Sequence, residues 1–512
     1  MNSSLNSPLA TVTRPVSVQV VSRWRVWPRN NLLLATRTTP AGSAARTTLA
    51  AIAAFAGLAL SGCASLMPPT QVTVDMAPQW HAPLPHQGRV VTLTDWWQQQ
   101  GDPVLVELIT AAQAASPSVS QALSRIAASR ANQATARAAL LPQVNAQLGA
   151  TRGVPVPDSP AVTTQQLGLS AAWELDLVGA NRAVSRAAVA QLESSEAQWH
   201  DARVSVTAEV ANLYYAQATC SQQQDLAQRD ARSRADTARL TETTAQAGFV
   251  APAVAATARA SAADGNSRAT AQAALCAVQR KGLVALTGLS EPDLRQKMAL
   301  ARMETAQAAT ISIANVPAQT ITQRPDIFAA ERDVVVASAV VGSAQAQRLP
   351  RLTLNGAIGA ARISTGGVVT EGATWSFGPL AVSLPVFDSG QRAASVESAK
   401  AAYQTAVVTY QGKVRQAVRE VEESLVTLQS TQDRAQDADT ATQGYNESLA
   451  ATQARFGQGL ASLLELEDAR RSALAAESAQ LGLALERQQA WVALYRALGG
   501  GFDARQAVAA SR

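Results

Sequence analysis

The sequence contains few of the residues that metal sites, redox centres and aromatic cores require. Its 512 residues include three cysteines and three histidines, and only 4% are aromatic. The histidines (His81, His86 and His200) lack metal-ligand spacing, and neither a glycine-rich phosphate loop nor a nucleophile elbow occurs. We therefore expect no catalytic residue, no cofactor and no bound metal, which argues against an enzyme.

Most of the chain also lacks an excess of basic residues, although the formal net charge is +5. Six of the 43 basic residues lie within residues 1–62, which contain no acidic residue. This leaves 37 basic residues against 38 acidic ones in the remainder. No basic tract occurs downstream, so the sequence predicts no nucleic-acid partner.

The first 62 residues have the pattern of a signal peptide. Basic residues precede the apolar stretch 49–60, which is too short for a membrane-spanning helix and is followed by small residues. Leu60-Ser61-Gly62-Cys63 resembles a bacterial lipobox, in which the cysteine is acylated and becomes the first mature residue. An aspartate at the next position would resemble an inner-membrane retention signal, so Ala64 favours the outer membrane.

Beyond Cys63 the chain has no apolar run of about 18 residues, so no transmembrane helix is predicted. Residues 63–97 contain several prolines and tryptophans and are predicted to form an extended, lipidated tether rather than a domain.

The rest of the chain contains three ordered matches between its two halves. The matched positions are Pro142 with Pro350, Leu177–Arg182 with Phe387–Arg392, and Gly248 with Gly459. The offsets are 208, 210 and 211 residues, which indicates an internal duplication. We divide the chain into a first repeat at 98–318, a second repeat at 319–502 and a tail at 503–512.

Each repeat contains two segments with strand-like alternation after a Leu-Pro pair. The predicted strands are 142–152, 165–177, 350–362 and 374–387. We expect loops at 153–160 and from Ile363 to beyond Gly367. Four strands are too few to close a barrel, so strands that span a membrane would require oligomerisation. Two exposed hairpins on a soluble protein are the alternative.

A long uninterrupted helix follows the second strand of each repeat. Residues 181–245 contain no Pro or Gly and residues 391–456 contain two glycines, which predicts helices about 100 Å long. Apolar residues at alternating steps of four and three form a coiled-coil seam, namely Val414, Val418, Val421, Leu425 and Leu428. Each helix turns at a glycine, Gly248 or Gly459, into a descending partner. Alanine, about a fifth of the chain, would allow such helices to pack closely.

Two cysteines are placed symmetrically about the first turn. Cys220 and Cys276 are equally distant from Gly248, so antiparallel helices would bring both thiols to the same level. In an oxidising envelope compartment this predicts a disulfide. Two buried free thiols are the alternative.

Three motifs resemble the outer-membrane efflux protein family, the TolC/NodT-type lipoprotein channels. Gln323–Ile327 with Ala330–Arg332 resembles the family's R-P-D-I-x-x-A-E-R signature. Ser376–Gly390 resembles its strand-to-helix stretch, and Phe456–Arg470 resembles the hairpin that bears the periplasmic gate. The resemblance extends from about Trp96 to Phe502.

The resemblance implies a mixed α and β membrane protein that forms a homotrimer. Three chains would build a 12-stranded outer-membrane β-barrel that continues into a long periplasmic α-helical barrel. An equatorial region would come from residues 287–318 and the carboxyl terminus. Acylated Cys63 would hold each chain to outer-membrane lipid. The implied function is passive conduction of drugs, organic compounds or metal ions delivered by a periplasmic adaptor (membrane fusion) protein and an RND-type inner-membrane pump.

The resemblance also points to Glu465 and Asp468 as the periplasmic gate. Three residues apart, they share a helix face, and a trimer would place six carboxylates around one constriction. Such a ring would repel anions and concentrate cations. An ordinary solvated helix face is the alternative. Arg455 and Arg470 are candidate partners of these carboxylates.

The hairpin turns at Gly248 and Gly459 are the expected contacts with the adaptor. In the first repeat, Pro252 occupies a position where the family commonly has a carboxylate, so we expect little gate contribution from that half. Two other functions stay open, a duct for type I protein secretion and a non-channel coiled-coil lipoprotein that spaces the envelope layers. The repeated strand pairs argue against a spacer, and the lipobox with the R-P-D-I signature favours efflux.

Overall fold

The computed structural model describes residues 67–74, 80–83, 93, 96–299, 321 and 323–503. All of them belong to the unit Ser65–Arg512. The predicted signal peptide and the acylation site Cys63 lie outside the described residues, as do residues 300–318 of the expected equatorial segment and nearly all of the tail.

Both halves of the described chain contain a helix, two strands, a long helix and a shorter helix in that order, and the first half has additional helices at its two ends. The elements are α1 (Trp96–Gln99), α2 (Pro103–Ala115), α3 (Pro117–Ala138), β1 (Gln143–Gly153), β2 (Val162–Leu175), α4 (Ala180–Gln246), α5 (Pro252–Thr287), α6 (Glu291–Ala299), α7 (Pro325–Ala346), β3 (Arg351–Thr365), β4 (Val368–Ser383), α8 (Gln391–Gly457) and α9 (Leu463–Ala497). The long helices predicted at 181–245 and 391–456 are present as α4 and α8, each 67 residues long.

The turns from strand to long helix have the same construction in both halves. Gly179 and Gly390 adopt φ values of 81° and 87°, a left-handed conformation that glycine tolerates best. The Asp176 carboxylate accepts a hydrogen bond from the backbone N–H of Arg182 at 2.8 Å. Asp388, four residues before its partner rather than six, accepts a bond from the N–H of Arg392 at 3.2 Å. These carboxylates accept hydrogen bonds from otherwise unpaired N–H groups at the helix starts, and their negative charge interacts favourably with the positive end of each helix dipole.

The four strands form one antiparallel sheet in the order β1-β2-β3-β4. The strand boundaries differ from the predicted ones, most clearly in the second hairpin, where both strands extend into the segment expected to be a loop. Only Gly366 and Gly367 remain as the turn, with φ values of 58° and 86°, because a two-residue hairpin turn of this kind needs positive φ at both positions. β4 ends at Ser383 rather than at 387, close to Pro385, which has no N–H for a strand ladder.

The pairing register gives the sheet one apolar and one polar face, because directly paired residues point to the same side. The apolar face carries Val144, Leu148, Leu167, Leu169, Leu352, Leu354, Ile358, Trp375, Phe377, Leu380 and Val382. The polar face carries Asn145, Gln147, Gln166, Ser170, Thr353, Asn355, Thr374 and Ser376.

A bulge in β4 keeps the apolar face continuous. Phe377 pairs with Gly356 and Leu380 pairs with Leu354, so one extra residue of β4 lies between these two pairs. Phe377 and Leu380 therefore share a face although they are three residues apart. Without the bulge, the end of β4 would turn Leu380 and Val382 to the polar side.

The main core lies where α2, α4, α8 and α9 meet, and it includes residues that were assigned to the tether. Trp80, Trp96 and Trp97 are buried in it, and Trp96 stacks on Tyr495 with ring centroids 5.2 Å apart. Helix α1 crosses the boundary predicted after residue 97, which is therefore misplaced, because both of its tryptophans pack in the core. The seam residues Val421, Leu425 and Leu428 are buried in the same cluster.

The described part of the tether runs along α7 and α8. Ser338 donates a hydrogen bond to the carbonyl of Pro68 at 2.6 Å, and Tyr403 donates one to Pro69 at 2.7 Å. Farther along, the Glu422 carboxylate accepts the backbone N–H groups of His81 and Ala82, at 2.7 and 2.9 Å. None of the helices in the described ranges is long and apolar enough to cross a membrane.

Helices α4 and α5 form the first hairpin, in which Cys220 and Cys276 meet. Their sulfur atoms are 2.07 Å apart and their Cα atoms 5.6 Å, which is bonding distance for a disulfide. Gln272 covers the pair and donates a hydrogen bond to Cys220 Sγ at 3.3 Å. The two cysteines lie 56 residues apart in the chain.

We expect the C220A/C276A variant to have a less stable first hairpin. Closing a loop of this length removes entropy from the unfolded chain, and the bond should contribute up to about 4 kcal/mol. Hydrogen exchange should therefore accelerate for amides of α4 and α5 around the cysteines and stay unchanged in the sheet. Reductant should reproduce the effect in the parent protein and have none on the variant. Two free thiols titrated in the denatured, unreduced parent would contradict the bond.

Candidate functional site

Both helical hairpins end in turns of identical construction. Gly248 and Gly459 have φ values of 77° and 74°. The N–H of Phe249 bonds to the Thr244 carbonyl at 2.9 Å, and the N–H of Leu460 bonds to the Arg455 carbonyl at 2.8 Å. These are Schellman motifs, which end a helix and reverse the chain. Each turn leaves one apolar side chain exposed, Phe249 at 82% and Leu460 at 64%.

Glu465 caps the helix that descends from the second turn. Its Oε2 accepts hydrogen bonds from the N–H of Ser462 at 2.6 Å and from the Ser462 hydroxyl at 2.8 Å. The Ser462 hydroxyl in turn accepts the Glu465 N–H at 3.2 Å, which completes a capping box. These bonds from the Ser462 backbone and hydroxyl lower the pKa of Glu465, so this carboxylate stays charged in mild acid. Arg455, a predicted partner, lies 3.9 Å away.

Asp468 also remains on the surface, and it is not bonded to Glu465. Its Oδ1 accepts a hydrogen bond from Arg471 Nη2 at 3.0 Å, one turn along α9. The side chains of Glu465 and Asp468 are 52% and 57% exposed in the single chain. Within one chain, the structure thus gives each predicted gate carboxylate its own local partner and leaves both open to solvent.

Arg470, the other predicted partner, contacts neither Glu465 nor Asp468. It is buried, and its Nη2 donates to the Ser233 hydroxyl at 2.9 Å and to the Thr237 hydroxyl at 2.6 Å, both on α4. Its Nη1 donates to Glu467 at 3.0 Å. This part of the prediction was wrong, because the side chain of Arg470 projects from α9 toward the first hairpin.

The structure instead reveals a buried ion-pair network between the hairpins, centred on Arg234 and Glu467. Arg234 on α4 pairs with Glu467 on α9 and with Asp230 at 2.8 Å, and it donates to the Ser261 hydroxyl at 2.7 Å. Gly265 on α5 makes room for it, since a Cβ there would lie 2.8 Å from Arg234 Cδ.

We call Asp230, Arg234, Glu467 and Arg470 the tip network. The sequence pattern did not reveal it, because a charged residue in a polar run gives no sign that another hairpin will bury it. The first half takes part in this network through α4 and α5, and Pro252 is the first residue of α5. Whether the first half contributes to the gate stays a prediction.

A groove of about 900 Å³ lies between α5 and α9 beside the tip network. Charged, polar and apolar side chains line it, among them Thr257, Asp264, Arg268, Leu464 and Arg471. Among the described residues no group of three His, Cys, Asp or Glu side chains could hold a metal ion.

The R-P-D signature forms a second buried ion-pair site, where α7 begins. Arg324 donates to Asp326 at 2.8 and 2.9 Å, to Glu420 on α8 at 2.8 Å and to the Ala497 carbonyl of α9 at 2.9 Å. Burial alone would raise the pKa of Asp326, but the hydrogen bonds and charge of Arg324 outweigh it and lower that pKa. One arginine thus joins three helices.

Two long helical hairpins below a sheet with one apolar and one polar face form the architecture of TolC-like outer-membrane channels. The solved open-state MtrE outer membrane channel of Neisseria gonorrhoeae matches this chain with a TM-score of 0.74 at 26% identity. The match covers 85% of this chain and 98% of that one.

The family model for outer membrane efflux proteins matches residues 108–289 and 316–500. The chain therefore belongs to the outer membrane efflux protein family. Outer membrane protein OprJ of Pseudomonas aeruginosa is 29% identical over 467 residues, 87% of this chain and 94% of that protein. The solvent efflux pump outer membrane protein SrpC of Pseudomonas putida is 27% identical over 470 residues, 88% of this chain and 98% of that protein.

Proposed function

We propose that three copies of this chain form an efflux channel through the outer membrane. The observation that carries the proposal is the sheet, whose apolar and polar faces suit lipid on one side and a water-filled lumen on the other. Four strands leave β1 and β4 as open edges, and about eight strands are the fewest that close a barrel. Three sheets joined at these edges would give 12 strands.

The helices would continue the channel as a periplasmic tube. At about 1.5 Å per residue, α4 and α8 are each about 100 Å long. The repeated order of elements supports an origin by duplication. The tether supports a lipid anchor, because Met67 lies only four residues beyond Cys63 and packs against Gly342 near the strands.

In this proposal the channel conducts small molecules that an inner-membrane pump and a periplasmic adaptor deliver. The name of SrpC connects a relative to solvent efflux, and drugs, other organic compounds and metal ions are further candidate substrates. Exposed Phe249 and Leu460 at the two turns would contact the adaptor. Type I protein secretion is the second candidate function, since it would use the same duct.

Purified protein in planar bilayers tests the channel directly. We expect stepwise conductance from a species with the mass of a trimer, whereas a coiled-coil spacer would give none. A Gram-negative host that lacks its own outer-membrane efflux channel, supplied with this chain and its neighbouring pump genes, separates the two transport functions. Restored efflux of a dye supports the proposal, and export of a polypeptide without dye efflux would refute it.

We further propose that Glu465 and Asp468 from three chains surround the periplasmic entrance. The E465Q/D468N variant removes six charges, and glutamine can keep the capping box. Its cation-to-anion permeability ratio should fall towards unity, because the fixed negative charges that attract cations are gone. In the parent channel the cation preference should persist into mild acid, as the lowered pKa of Glu465 requires.

Planar-bilayer reversal potentials measure this ratio. E447Q, which alters an exposed carboxylate elsewhere on α8, is the control and should leave the ratio unchanged. A double variant as cation-selective as the parent would show that the two carboxylates lie away from the constriction.

A further inference from the structure

The apolar face of the sheet ends in charged residues at the end farthest from the helices. Five successive rows across the strands are apolar, from the row of Leu352 and Val382 to the row of Leu148 and Leu167. Successive rows are two residues apart, so the five rows together span about 27 Å along the strands. If the strands tilt as they do in membrane barrels, this length covers about 20 Å of membrane thickness. This approaches the height of the apolar band that barrels present to lipid.

The next two rows of the same face carry Arg362 with Glu371, and then Arg152. Arg362 pairs in register with Gln165, and Arg152 pairs with Thr163, so both arginines point to the lipid side rather than to the lumen. The Arg362 side chain is 58% exposed, and its Nε lies 3.9 Å from the Glu371 carboxylate, too far for a hydrogen bond. The opposite end of the face carries Leu175, Leu352 and Val382.

We propose that Arg152 and Arg362 form a binding site for the phosphate groups of the phosphorylated glycolipid in the outer leaflet. The inference rests on the proposed function, which places the helices in the periplasm and hence this end of the sheet at the outer leaflet. Continuity with the apolar band places both guanidinium groups at the depth of lipid headgroups. Guanidinium groups bind phosphate through paired, charge-assisted hydrogen bonds.

The charge of the site agrees with an anionic headgroup. Two arginines face one carboxylate, which leaves an excess positive charge on a surface that otherwise contacts acyl chains. A charged side chain on the lipid face is costly near the midplane and inexpensive at the interface. The position of both arginines just beyond the last apolar row is therefore compatible with membrane insertion and suited to a phosphate.

The test uses the purified full-length channel in phosphatidylcholine nanodiscs that also contain bisphosphorylated lipid A. Native mass spectrometry should show that R152Q/R362Q binds lipid A about tenfold more weakly than the parent, since two charge-assisted bonds are lost. R239Q removes an exposed arginine of α4 and is the matched control, with binding equal to the parent. E371Q should bind at least as tightly as the parent, because it removes the opposing charge.

Two further probes separate possible sources of phosphate. The parent channel should bind phosphatidylglycerol, supplied in nanodiscs in place of lipid A, much more weakly than lipid A. It should also bind inorganic phosphate in solution much more weakly. Equal binding of phosphatidylglycerol would overturn the assignment to glycolipid, as would equal lipid A binding by R152Q/R362Q and the parent. Loss of trimer in both R152Q/R362Q and E371Q would instead assign these residues to contacts between subunits.

Measuring the conductance of the same preparation distinguishes failure of the glycolipid site from failure of the proposed channel function. A parent protein without conductance would refute the channel itself. A conducting parent whose lipid A binding does not depend on the arginines would refute the glycolipid site alone.

Discussion

The E467Q variant is expected to have loosened hairpin tips and a higher conductance in planar bilayers than the parent channel. Glu467 is the carboxylate through which α9 holds Arg234 on α4, and the Arg234 and Glu467 side chains are only 7% and 13% exposed. Removing one partner of a buried ion pair leaves the other charge poorly solvated and uncompensated. Asp230 remains beside Arg234, so the cost should lie near about 2–3 kcal/mol, the low end for such pairs.

Hydrogen exchange gives the most direct reading of this loosening. A loss of about 2–3 kcal/mol corresponds to an exchange rate about 30- to 150-fold higher for amides that open with the tips. The affected amides should lie around Arg234 on α4 and Glu467 on α9, with the sheet unaffected. Conductance should rise because the second hairpin, α8 with α9, would no longer be held against the first.

Two further variants identify the cause. E477Q breaks a second ion pair between α9 and α4, in which Arg229 lies 3.5 Å away and is 68% exposed, so its effect should stay below about 1 kcal/mol. R234M/E467M removes both charges of the central pair but leaves Asp230 and Arg470 without these partners, so it should recover only part of the lost stability. Exchange as slow in E467Q as in E477Q would show that the tip network does not hold the hairpins together.

Replacing Arg324 with methionine is expected to cause the largest loss of stability among the variants considered. Arg324 is the shared partner of Asp326, Glu420 and the Ala497 carbonyl, and methionine removes this charged donor from all three. A broken buried ion pair costs about 3–5 kcal/mol. The yield of folded protein should fall, and the denaturation midpoint of what remains should drop.

Matched substitutions separate charge from geometry at this site. R419M removes an arginine that lies 3.7 Å from Glu423 on the surface of α8, and it should cost less than about 1 kcal/mol. R324K keeps the charge but cannot bond Asp326, Glu420 and the carbonyl at once, so it should lie between R324M and the parent. Equal midpoints for R324M and R419M would contradict the role of Arg324.

The difference between R324M and the parent should shrink in acid. Arg324 lowers the pKa of Asp326 in the folded parent, and this pairing therefore contributes to the free energy of unfolding. The contribution is fully present above the unfolded carboxyl pKa of about 3.9 and is lost as the pH falls through the lower pKa of the folded state. In R324M the burial of Asp326 is opposed only by the charge of Lys413 and the N–H of Ile327, so the pKa of Asp326 should rise and protonation would relieve the variant. Denaturation midpoints measured between neutral pH and about pH 4 should converge.

Local features of the sequence predicted much of the fold. The helices were evident because long runs without proline can form unbroken hydrogen bonding, and Gly248 and Gly459 marked the turns because a Schellman motif needs a left-handed residue. The strands were recognisable from their alternation, but their ends were not. Pairing, rather than composition, extends β3 and β4 to the turn at Gly366 and Gly367.

The sequence by itself determined the family, the long hairpins and the presence of strands, since these depend on periodicity and on residues close together in the chain. Tertiary structure alone decided which charges are buried. Glu465, Glu467 and Asp468 are neighbours with similar chemistry, yet only Glu467 is buried against an arginine of the first hairpin, Arg234, more than 230 residues away in the chain. It also decided that the bulge in β4 keeps Leu380 on the apolar face, because the side on which a strand residue lies follows from register.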